Sequence, residues 1–252
     1  MMVIGIVQAR MDSKRLPGKV LKTILQKTVL EHIVERLGCS KLINKIVVAT
    51  TKERIDDEIE CLCDRINMTC FRGSQDDVLD RFYGAALMFG ADIIVRITAD
   101  DPLKDPEIID KAIQIMLEHD YDYVSNTIEP TYPEGIDVEV CTFTALKKAH
   151  QEARRASERE HVTPYIWKNP DRFKIYNFKN SDDFSSLRWT LDTEDDLIFI
   201  RKVYAALYKE GQIFLMKDIL ELIKKEPTLS LINKGHERNE GYIKSLLQEE
   251  LR

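Results

Sequence analysis

The sequence predicts an α/β fold in which a doubly wound, mostly parallel sheet is flanked by helices and carries a small inserted lobe. Short apolar runs alternate with segments whose apolar residues recur at helical spacing, and this alternation is typical of βαβ units. The runs are continuously apolar, which indicates strands buried on both faces of a parallel sheet. Helical crossovers between parallel strands are right-handed, so the pattern favours a doubly wound arrangement.

The first half of the chain carries the regular part of this pattern. Strands are predicted at residues 3–7, 45–50, 69–72 and 93–97. Helices are predicted at residues 29–37, 55–68, 78–89 and 106–117. Ser74 with Asp77, and Thr193 with Asp196 further on, have the spacing of helix capping boxes. Pro106 suits the first turn of the helix that it begins.

The second half is less regular, because residues 121–137 are rich in aromatic rings, proline and glycine and therefore indicate loop with short strand pieces. Strands are predicted at residues 138–142, 174–178 and 187–191, the second of them as an edge strand of a lobe. Helices are predicted at residues 143–153, 158–167, 193–207, 216–225 and 241–251. No linker pattern divides the chain, so we expect one domain over residues 1–252 with a lobe at about residues 121–186.

The composition excludes several classes of protein. A formal net charge of −6 argues against broad binding of nucleic acids or anionic membranes. No apolar run approaches the ~20 residues of a membrane span, and the N-terminus lacks the layout of a signal peptide. The five cysteines show no zinc or disulfide spacing, which is typical of reduced thiols. We therefore expect a cytoplasmic protein that binds neither nucleic acid nor membrane.

The loop after the first predicted strand is the sharpest local feature. Arg10, Lys14, Arg15 and Lys19 fall within ten residues, with Ser13 between them. Open α/β sheets bind ligands at the carboxyl ends of their strands, where this loop begins. Cations and a small hydroxyl at that place suggest a polyanion, most simply a nucleoside triphosphate. The alternative is a solvated basic loop.

Other nucleotide-binding and catalytic motifs are missing from the sequence. The first strand is not followed by G-x-G-x-x-G, and Lys19 is followed by Val20 rather than by Ser or Thr, which excludes dinucleotide and Walker loops. The chain has no G-x-S-x-G elbow, and its five histidines show no metal-binding spacing.

Two acidic positions are candidates for holding a metal ion. Asp100 and Asp101 follow the predicted strand 93–97, at the sheet edge where the basic loop begins. Asp192 stands between the predicted strand 187–191 and the next helix. Mg²⁺ prefers one or two carboxylates together with phosphate oxygens, so Asp100 and Asp192 predict a magnesium site. A turn or helix-cap role is the alternative for each aspartate.

A series of sequence blocks is distributed over residues 3–207. Residues 8–21 have the sequence Q-A-R-M-D-S-K-R-L-P-G-K-V-L. The later blocks are G-S-Q-D-D-V-L-D-R-F, V-R-I-T-A-D-D-P, Y-P-E-G-I-D-V-E-V, R-E-H-V-T-P-Y-I and W-T-L-D-T-E-D-D-L. The loop resembles the signature loop of the cytidylyltransferases that make CMP-activated acidic sugars, such as CMP-KDO and CMP-sialic acid. The blocks together resemble a subgroup linked to spore coat polysaccharide biosynthesis.

The resemblance implies a fold like that of nucleotide-diphospho-sugar transferases, and transfer of CMP from CTP with Mg²⁺ as cofactor. Arg10, Arg15 and Lys19 match the positions that hold the triphosphate. Asp100 and Asp192 match the metal-binding aspartates, and Asp100 joins the three cations as a catalytic candidate. Further substrate-binding candidates on the nucleotide side are Ala9, Ser13, Ser74, Asp80 and Arg81. The sugar-facing residues differ from those of the KDO and sialic acid enzymes, so the acceptor is not carried over.

Two charged groups lie in the region of the predicted lobe. Glu134, Asp137 and Glu139 belong to one block, and Arg159 and His161 belong to a charged helix start. We predict that both groups face the acceptor. The alternatives are a solvated helix face for Arg159 and a satisfied polar core position for His161.

The sequence thus predicts a Mg²⁺-dependent transfer of CMP from CTP to an acidic sugar or sugar phosphate, with release of pyrophosphate, in surface polysaccharide biosynthesis. One rival is a glycosyltransferase that uses a finished nucleotide sugar on the same fold, and another is a non-catalytic nucleotide-binding protein. The basic loop favours the nucleotidyltransferase, since a glycosyltransferase needs no clamp for the β- and γ-phosphates. We also expect a homodimer through the aromatic rings of the lobe, which are Tyr121, Tyr123, Tyr132, Tyr165 and Trp167.

Overall fold

A seven-stranded sheet forms the centre of the computed structural model, which describes residues 1–251. The strands are β1 (Val3–Gln8), β2 (Thr23–Ile24), β3 (Lys27–Thr28), β4 (Lys45–Thr51), β5 (Thr69–Gly73), β6 (Ile93–Thr98), β7 (Tyr123–Ser125), β8 (Glu139–Thr142) and β9 (Ile175–Asn177). The central sheet has the order β5-β4-β1-β6-β8-β7-β9, and β2 pairs with β3 in a separate hairpin. Strand β8 runs antiparallel to both neighbours and the other pairs of this sheet are parallel. The predicted mostly parallel sheet is confirmed.

Helices flank this sheet along the chain. They are α1 (Val29–Leu37), α2 (Asp57–Arg65), α3 (Val78–Met88), α4 (Pro106–Glu118), α5 (Phe143–Glu152), α6 (Ala156–His161), α7 (Pro164–Trp167), α8 (Glu194–Leu207), α9 (Met216–Lys225) and α10 (Glu240–Glu250). The helix predicted at residues 55–68 is shorter than expected, because a 3-10 turn at Arg54–Asp56 precedes it and Asn67, with φ 55°, lies past its end. Among the described residues, no helix has both the length and the apolar character that crossing a membrane requires.

Both faces of the sheet are covered, as the residues of β1 illustrate. Val3 and Val7 point to one face, where they join a core with apolar residues of α1, α4 and α8. Ile4 and Ile6 point to the opposite face, where α3 and α5 complete a second core. Successive side chains of a strand alternate between the faces, so a continuously apolar strand needs a cover on both.

Residues 187–191 do not form the predicted strand. The amide of Trp189 donates to the carbonyl of Glu134 at 2.7 Å, and Arg188 and Glu134 form only an isolated bridge. The two segments cross so closely that a Cβ on Gly135 would lie 2.6 Å from the carbonyl carbon of Trp189. Gly135 also has φ 99°, a conformation that glycine adopts without strain. The apolar run therefore packs beside a loop instead of joining a sheet.

The helix predicted at residues 158–167 is two short helices, α6 and α7. Val162 separates them with φ 73° and ψ −55°, and the amide of Thr163 donates to the carbonyl of His161 at 2.9 Å. A hydrogen bond from residue i+2 to residue i at these angles defines a γ-turn, which is incompatible with a continuous helix.

The two predicted capping boxes have different outcomes. Thr193 and Asp196 form the box at the start of α8, as predicted. At the start of α3 the N-cap is Asp77, whose side chain accepts from the amide of Asp80 at 2.9 Å. Ser74 instead accepts from the amide of Asp77 at 3.1 Å, one turn before the helix, so the prediction for this pair is wrong.

Residues 121–186 contribute β7, β8 and β9 to the central sheet, and β9 is the edge strand of that sheet rather than of a separate lobe. Two tyrosines of this region pack inside the protomer, since Tyr123 and Tyr132 are 0% and 3% exposed. The premise that these rings leave surplus apolar surface is therefore wrong for both, while the homodimer itself stays a prediction.

Candidate active site

Parallel strands bring the basic loop and Asp100 to one edge of the sheet. Strands β1 and β6 are parallel neighbours and Gln8 stands opposite Thr98, so both strands end together. The basic loop follows the first strand, and Asp100 stands two residues after the second. Asp192 reaches the same edge because the amide of Leu191 donates to the carbonyl of Asp100 at 2.7 Å.

Lys19 lies between the two aspartates predicted to bind metal. Its Nζ donates to Oδ2 of Asp100 at 2.7 Å and to Oδ1 of Asp192 at 2.8 Å. Burial lowers the pKa of Lys19, but the attraction of both carboxylates outweighs burial and leaves that pKa raised. Burial likewise raises the pKa of Asp100, but the Lys19 ammonium outweighs it and lowers the pKa to about 2. Lys19 and Asp100 are therefore both charged at neutral pH.

Backbone hydrogen bonds fix the shape of the basic loop up to Lys19. The amide of Met11 donates to Oδ1 of Asp56 at 2.7 Å, and the amide of Gly18 donates to the carbonyl of Met11 at 3.0 Å. Gly18 has φ 63° and begins the 3-10 turn Lys19–Leu21, which explains why glycine stands there.

Arg15 joins the carboxylates, and Arg10 does not. Nη2 of Arg15 is 2.8 Å from Oδ2 of Asp192, and its Nη1 bonds to Glu240 near the C-terminus. Arg10 is exposed. Burial, and then the nearby charge of Arg10, lowers the pKa of Arg81 to about 10. Arg15 therefore contacts an aspartate of the site, whereas Arg10 lies near Arg81 of α3.

The other candidates on the nucleotide side surround the ends of β1 and β5. Arg81 is 1% exposed and donates to the carbonyl of Ser74 at 2.7 Å. Asp80 is exposed and lies 2.9 Å from a histidine of α5. Ala9 is buried directly after β1, and Ser13 is half-buried within the basic loop.

A cavity of about 420 Å³ opens beside the aspartates, a size that suits a small ligand. The predicted site residues that line it are Arg15, Asp100, Glu134, Asp137, Glu139, His161 and Asp192. Those that do not line it are Ala9, Arg10, Ser13, Lys19, Ser74, Asp80, Arg81 and Arg159. Arg159 instead pairs with Asp77 of α3 at 2.6 Å.

Each predicted acceptor-facing carboxylate has a cationic partner. The pairs are Glu134 with Arg188, Asp137 with Arg238, and Glu139 with Arg96. Burial raises the pKa of Glu134 and of Asp137. Burial also opposes ionisation of Glu139, but Arg96 outweighs it and lowers the pKa. These charge-assisted contacts hold the carboxylates in place along the cavity wall.

Sequence reasoning missed these cationic partners. Arg96 interrupts the apolar run of β6, and a single cation inside a buried strand was the available signal. Arg188 lies in the segment that was assigned to a strand, where it donates to Asp196 at 2.9 and 3.0 Å. Arg238 lies more than a hundred residues from Asp137, and no local pattern connects the two.

The two aspartates fit a magnesium ion. Oδ2 of Asp100 and Oδ1 of Asp192 converge on one point, where the ammonium of Lys19 sits. Mg²⁺ commonly takes one or two carboxylates and completes its shell with phosphate oxygens and water. Within residues 1–251 no group of three or more His, Cys, Asp and Glu side chains is placed to hold a metal. The chain therefore offers two carboxylates at this point, a number within the range that such magnesium sites commonly use.

Comparison with known proteins matches this chain to one family. A model of the cytidylyltransferase family matches residues 4–230. The spore coat polysaccharide biosynthesis protein SpsF of Bacillus subtilis is 31% identical over 234 residues, which are 89% of this chain and 95% of SpsF. The 3-deoxy-manno-octulosonate cytidylyltransferase of Solibacter usitatus is 36% identical over 127 residues, which are 50% of this chain and 49% of that enzyme.

The fold is also that of a solved structure. A cytidylyltransferase from Leptospira borgpetersenii superposes with a TM-score of 0.88 at 35% sequence identity. The superposition covers 94% of this chain and 99% of that one, so the likeness extends over most of the chain.

Proposed function

This chain belongs to the cytidylyltransferase family, and we propose that it transfers CMP from CTP to an acidic sugar or sugar phosphate and releases pyrophosphate. The proposal includes a role in surface polysaccharide biosynthesis, which the name of SpsF supports. The observation that carries it is the placement of Lys19 between Asp100 and Asp192, at the sheet edge from which the basic loop emerges.

The proposed reaction is an in-line displacement at the α-phosphorus of CTP. A bond forms between the acceptor oxygen and phosphorus, and the bond from phosphorus to the bridging oxygen of the β-phosphate breaks. Pyrophosphate leaves with the electron pair. A hydroxyl acceptor gives its proton to water, whereas a phosphate acceptor attacks through an anionic oxygen and has no proton to lose. Lys19 and Arg15 neutralise the charge that gathers on the leaving pyrophosphate, so catalysis rests on positioning and electrostatics.

The same proposal assigns Asp100 and Asp192 to Mg²⁺, which when bound supplies charge neutralisation at the α-phosphate and lowers the pKa of the acceptor hydroxyl. Lys19 has a flexible stem and a compact charge, so it can exchange its carboxylate partners for the outer phosphates when CTP enters. Lys19, Arg15 and Arg188 together balance the charges of the two carboxylates.

A glycosyltransferase on the same fold is the second candidate, because it too would need an acidic pair for a metal. Two cations from one loop contact the carboxylates, and this arrangement supports the nucleotidyltransferase. A nucleotide sugar has no γ-phosphate, so it would leave part of the positive charge of Arg15 and Lys19 without a phosphate partner.

Pyrophosphate release tests the proposal. The protein is assayed with CTP, Mg²⁺ and a panel of sugar acids and sugar phosphates that includes 3-deoxy-manno-octulosonate, and we expect acceptor-dependent release. Calorimetry should show tighter binding of CTP than of ATP, GTP or UTP. Tighter binding of a purine nucleotide would overturn the cytidylyl assignment, and release of a nucleoside diphosphate from a nucleotide sugar would favour the glycosyltransferase.

A further inference from the structure

The C-terminal segment, residues 236–250, begins after the stretch matched by the family model, which ends at residue 230. It nevertheless contacts the cavity wall. Arg238 bonds to Asp137, and the amide of Asn239 donates to Glu134 at 3.1 Å. The residues of this segment that line the cavity are Asn239, Glu240, Gly241 and Tyr242. The C-terminal segment therefore forms one side of the cavity that contains the aspartates.

Helix α10 is not needed to complete the hydrophobic core. None of its residues is buried, whereas the preceding α9 buries three apolar side chains. Its contacts with α6 include two hydrogen bonds: Ser245 lies 3.1 Å from His161, and Ser157 donates to Glu249 at 2.9 Å. These partly buried contacts join α10 to α6 without burying any residue of α10, so the position of α10 beside the cavity indicates a role in binding.

Three rings of the cavity wall form what we call the aromatic corner: Tyr242, Trp167 and His161. The ring of Tyr242 lies 5.9 Å from that of Trp167 at 71°, and 5.0 Å from that of His161 at 75°. Edge-to-face contact is a favoured arrangement of rings, and it fixes the three of them on the cavity wall, where the ammonium of Lys168 lies 5.5 Å from the Trp167 ring and 5.3 Å from the Tyr242 ring. Such an aromatic wall, with a few polar groups beside it, is typical of small-molecule subsites and fits the C–H face of a sugar ring.

The polar atoms of the aromatic corner are suited to the hydroxyl groups of a ligand. Burial, and then the nearby charge of Arg96, lowers the pKa of His161 to about 4, so its imidazole is uncharged at pH 7. The hydroxyl of Tyr242 is buried and has no hydrogen-bond partner within residues 1–251. Leaving such a group unpaired costs free energy, and a ligand hydroxyl would supply the partner.

The backbone beneath the aromatic corner is strained. The γ-turn at Val162 holds a β-branched residue at φ 73°, a conformation that β-branched side chains rarely adopt. The turn places His161 and Thr163 in the cavity wall while Val162 is buried in the core. Strain of this kind persists where the surrounding structure enforces it, and it concentrates at ligand sites.

We infer that the aromatic corner is the acceptor subsite and that Tyr242 of the C-terminal segment holds the sugar ring there. The rings pack against the C–H groups of the acceptor, while the carboxylates of Glu134 and Asp137 accept hydrogen bonds from its hydroxyls. The acceptor class is therefore a sugar in its ring form, rather than an open-chain alditol phosphate. The inference rests on the proposed function, because it presupposes an acceptor that attacks CTP.

Steady-state kinetics of pyrophosphate release test this inference. The acceptor panel contains 3-deoxy-manno-octulosonate, other ring-forming sugar acids and open-chain alditol phosphates. With the best ring-form acceptor, Tyr242→Ala should raise the acceptor KM about ten- to hundredfold, while the KM for CTP stays within about twofold. Tyr242→Phe keeps the ring, so it should raise the acceptor KM less than Tyr242→Ala does. Trp167→Leu changes the opposite side of the corner without altering α10, and it should repeat the rise in acceptor KM.

Leu247→Ala is the matched control, because Leu247 is on the same helix, is 55% exposed and does not line the cavity. This variant should behave like the wild type. An equal rise in the KM of CTP for Tyr242→Ala would overturn the inference, since the ring would then serve the cytosine or the fold. An alditol phosphate as the best substrate, unaffected by Tyr242→Ala, would overturn it as well. If the wild type releases no pyrophosphate with any acceptor, the proposed function fails before any variant is compared.

Discussion

At the scale of single residues, the centre of the site is an ion-pair cluster in which Lys19 pairs with Asp100 and Asp192. The side chain of Lys19 is 12% exposed, and those of Asp100 and Asp192 are 26% and 18% exposed. Removing one member of a partly buried pair leaves the other charge uncompensated, unless a third group takes over. The two aspartates share one lysine, so either can balance it alone. Removing the charge of one aspartate should therefore change catalysis without unfolding the protein.

Asp100→Asn should reduce turnover by roughly a hundredfold or more, because it removes charge at the metal position that matters most in the transition state. Folding should survive, since Asp192 still accepts from Lys19. CTP should still bind through the basic loop. Pyrophosphate release and the melting temperature are measured side by side for the variant and the wild type.

Asp101→Asn provides the matched comparison at the neighbouring position. Asp101 accepts from Thr98 at 2.8 Å and lies 2.8 Å from the buried ammonium of Lys104, which indicates a structural role. This variant should lower the melting temperature more than it lowers turnover. A fully active Asp100→Asn variant that melts early would assign the structural role to Asp100 instead.

Lys19→Ala should weaken binding of CTP about ten- to hundredfold, because losing a charge-assisted contact costs roughly 1.5–3 kcal/mol of binding free energy. Binding of CMP should weaken much less, because the partners proposed for Lys19 are the outer phosphates. Calorimetric titration of both nucleotides measures the difference. Lys22→Ala is the control, since the ammonium of Lys22 pairs with exposed Glu194 at 3.4 Å. Equal losses for CMP and CTP would contradict the clamp.

His161 should make stability depend on pH in a defined window. Its pKa is lowered to about 4 by burial and by Arg96, against about 6.5 for an unfolded chain. Between these values the unfolded state binds more protons, so the free energy of unfolding falls as pH falls from about 6.5 to 4. Urea unfolding of His161→Asn should show a smaller fall across that window. Parallel profiles for wild type and variant would show that folding leaves the pKa of His161 unchanged and would contradict this prediction.

At the scale of elements, the start of α8 links the capping box to the metal site. Asp196 is fully buried, and its Oδ2 accepts from the amides of Asp192 and Thr193 at 2.9 Å. Arg188 and Asn233 complete the network by donating to the same carboxylate. Asp196, the third residue of α8 and a member of its capping box, therefore also fixes the backbone that carries Asp192.

Asp196→Ala should destabilise the protein by about 3–5 kcal/mol, because it breaks a buried ion pair and a helix cap together. Turnover of the folded fraction should fall too, since Asp192 loses its support. Asp195→Ala is the control, an exposed acid in the same first turn. Chemical denaturation gives the free energies of unfolding. Similar stabilities for the two variants would show that the buried network contributes nothing.

At the scale of the whole molecule, the sheet has one edge that suits self-association. Strand β9 ends the sheet, and its residue Tyr176 is 40% exposed and stacks on Tyr121 at 5.1 Å. An unpaired strand edge with an exposed aromatic pair can join a second copy. This surface, unlike the buried tyrosines, provides a physical reason for the dimer predicted at residues 121–186.

Light scattering at micromolar concentration should therefore give the mass of a dimer. Tyr176→Asp should shift the protein towards the monomer, because it places a charge in the proposed interface. Leu87→Asp is the control, since Leu87 is 57% exposed on α3, away from this edge. A monomeric wild type would contradict the prediction.

The sequence by itself determined the features that arise from neighbouring residues. The continuous apolar run of β1 and the turn at Gly18 define the strand and the basic loop, and a short segment after β6 carries Asp100. The α/β class follows because periods of 2 and 3.6 residues are local properties of strands and helices. The capping box of Thr193 is local for the same reason.

Only the tertiary structure decided which of these features meet. Lys19 contacts Asp100 and Asp192 across 81 and 173 residues, and Arg15 contacts Glu240 across 225. The reversed strand β8 and the passage of residues 187–191 beside a loop depend on pairings between distant segments. Such contacts form because burial and charge pairing are satisfied over the whole molecule, and no short stretch of sequence encodes its distant partner.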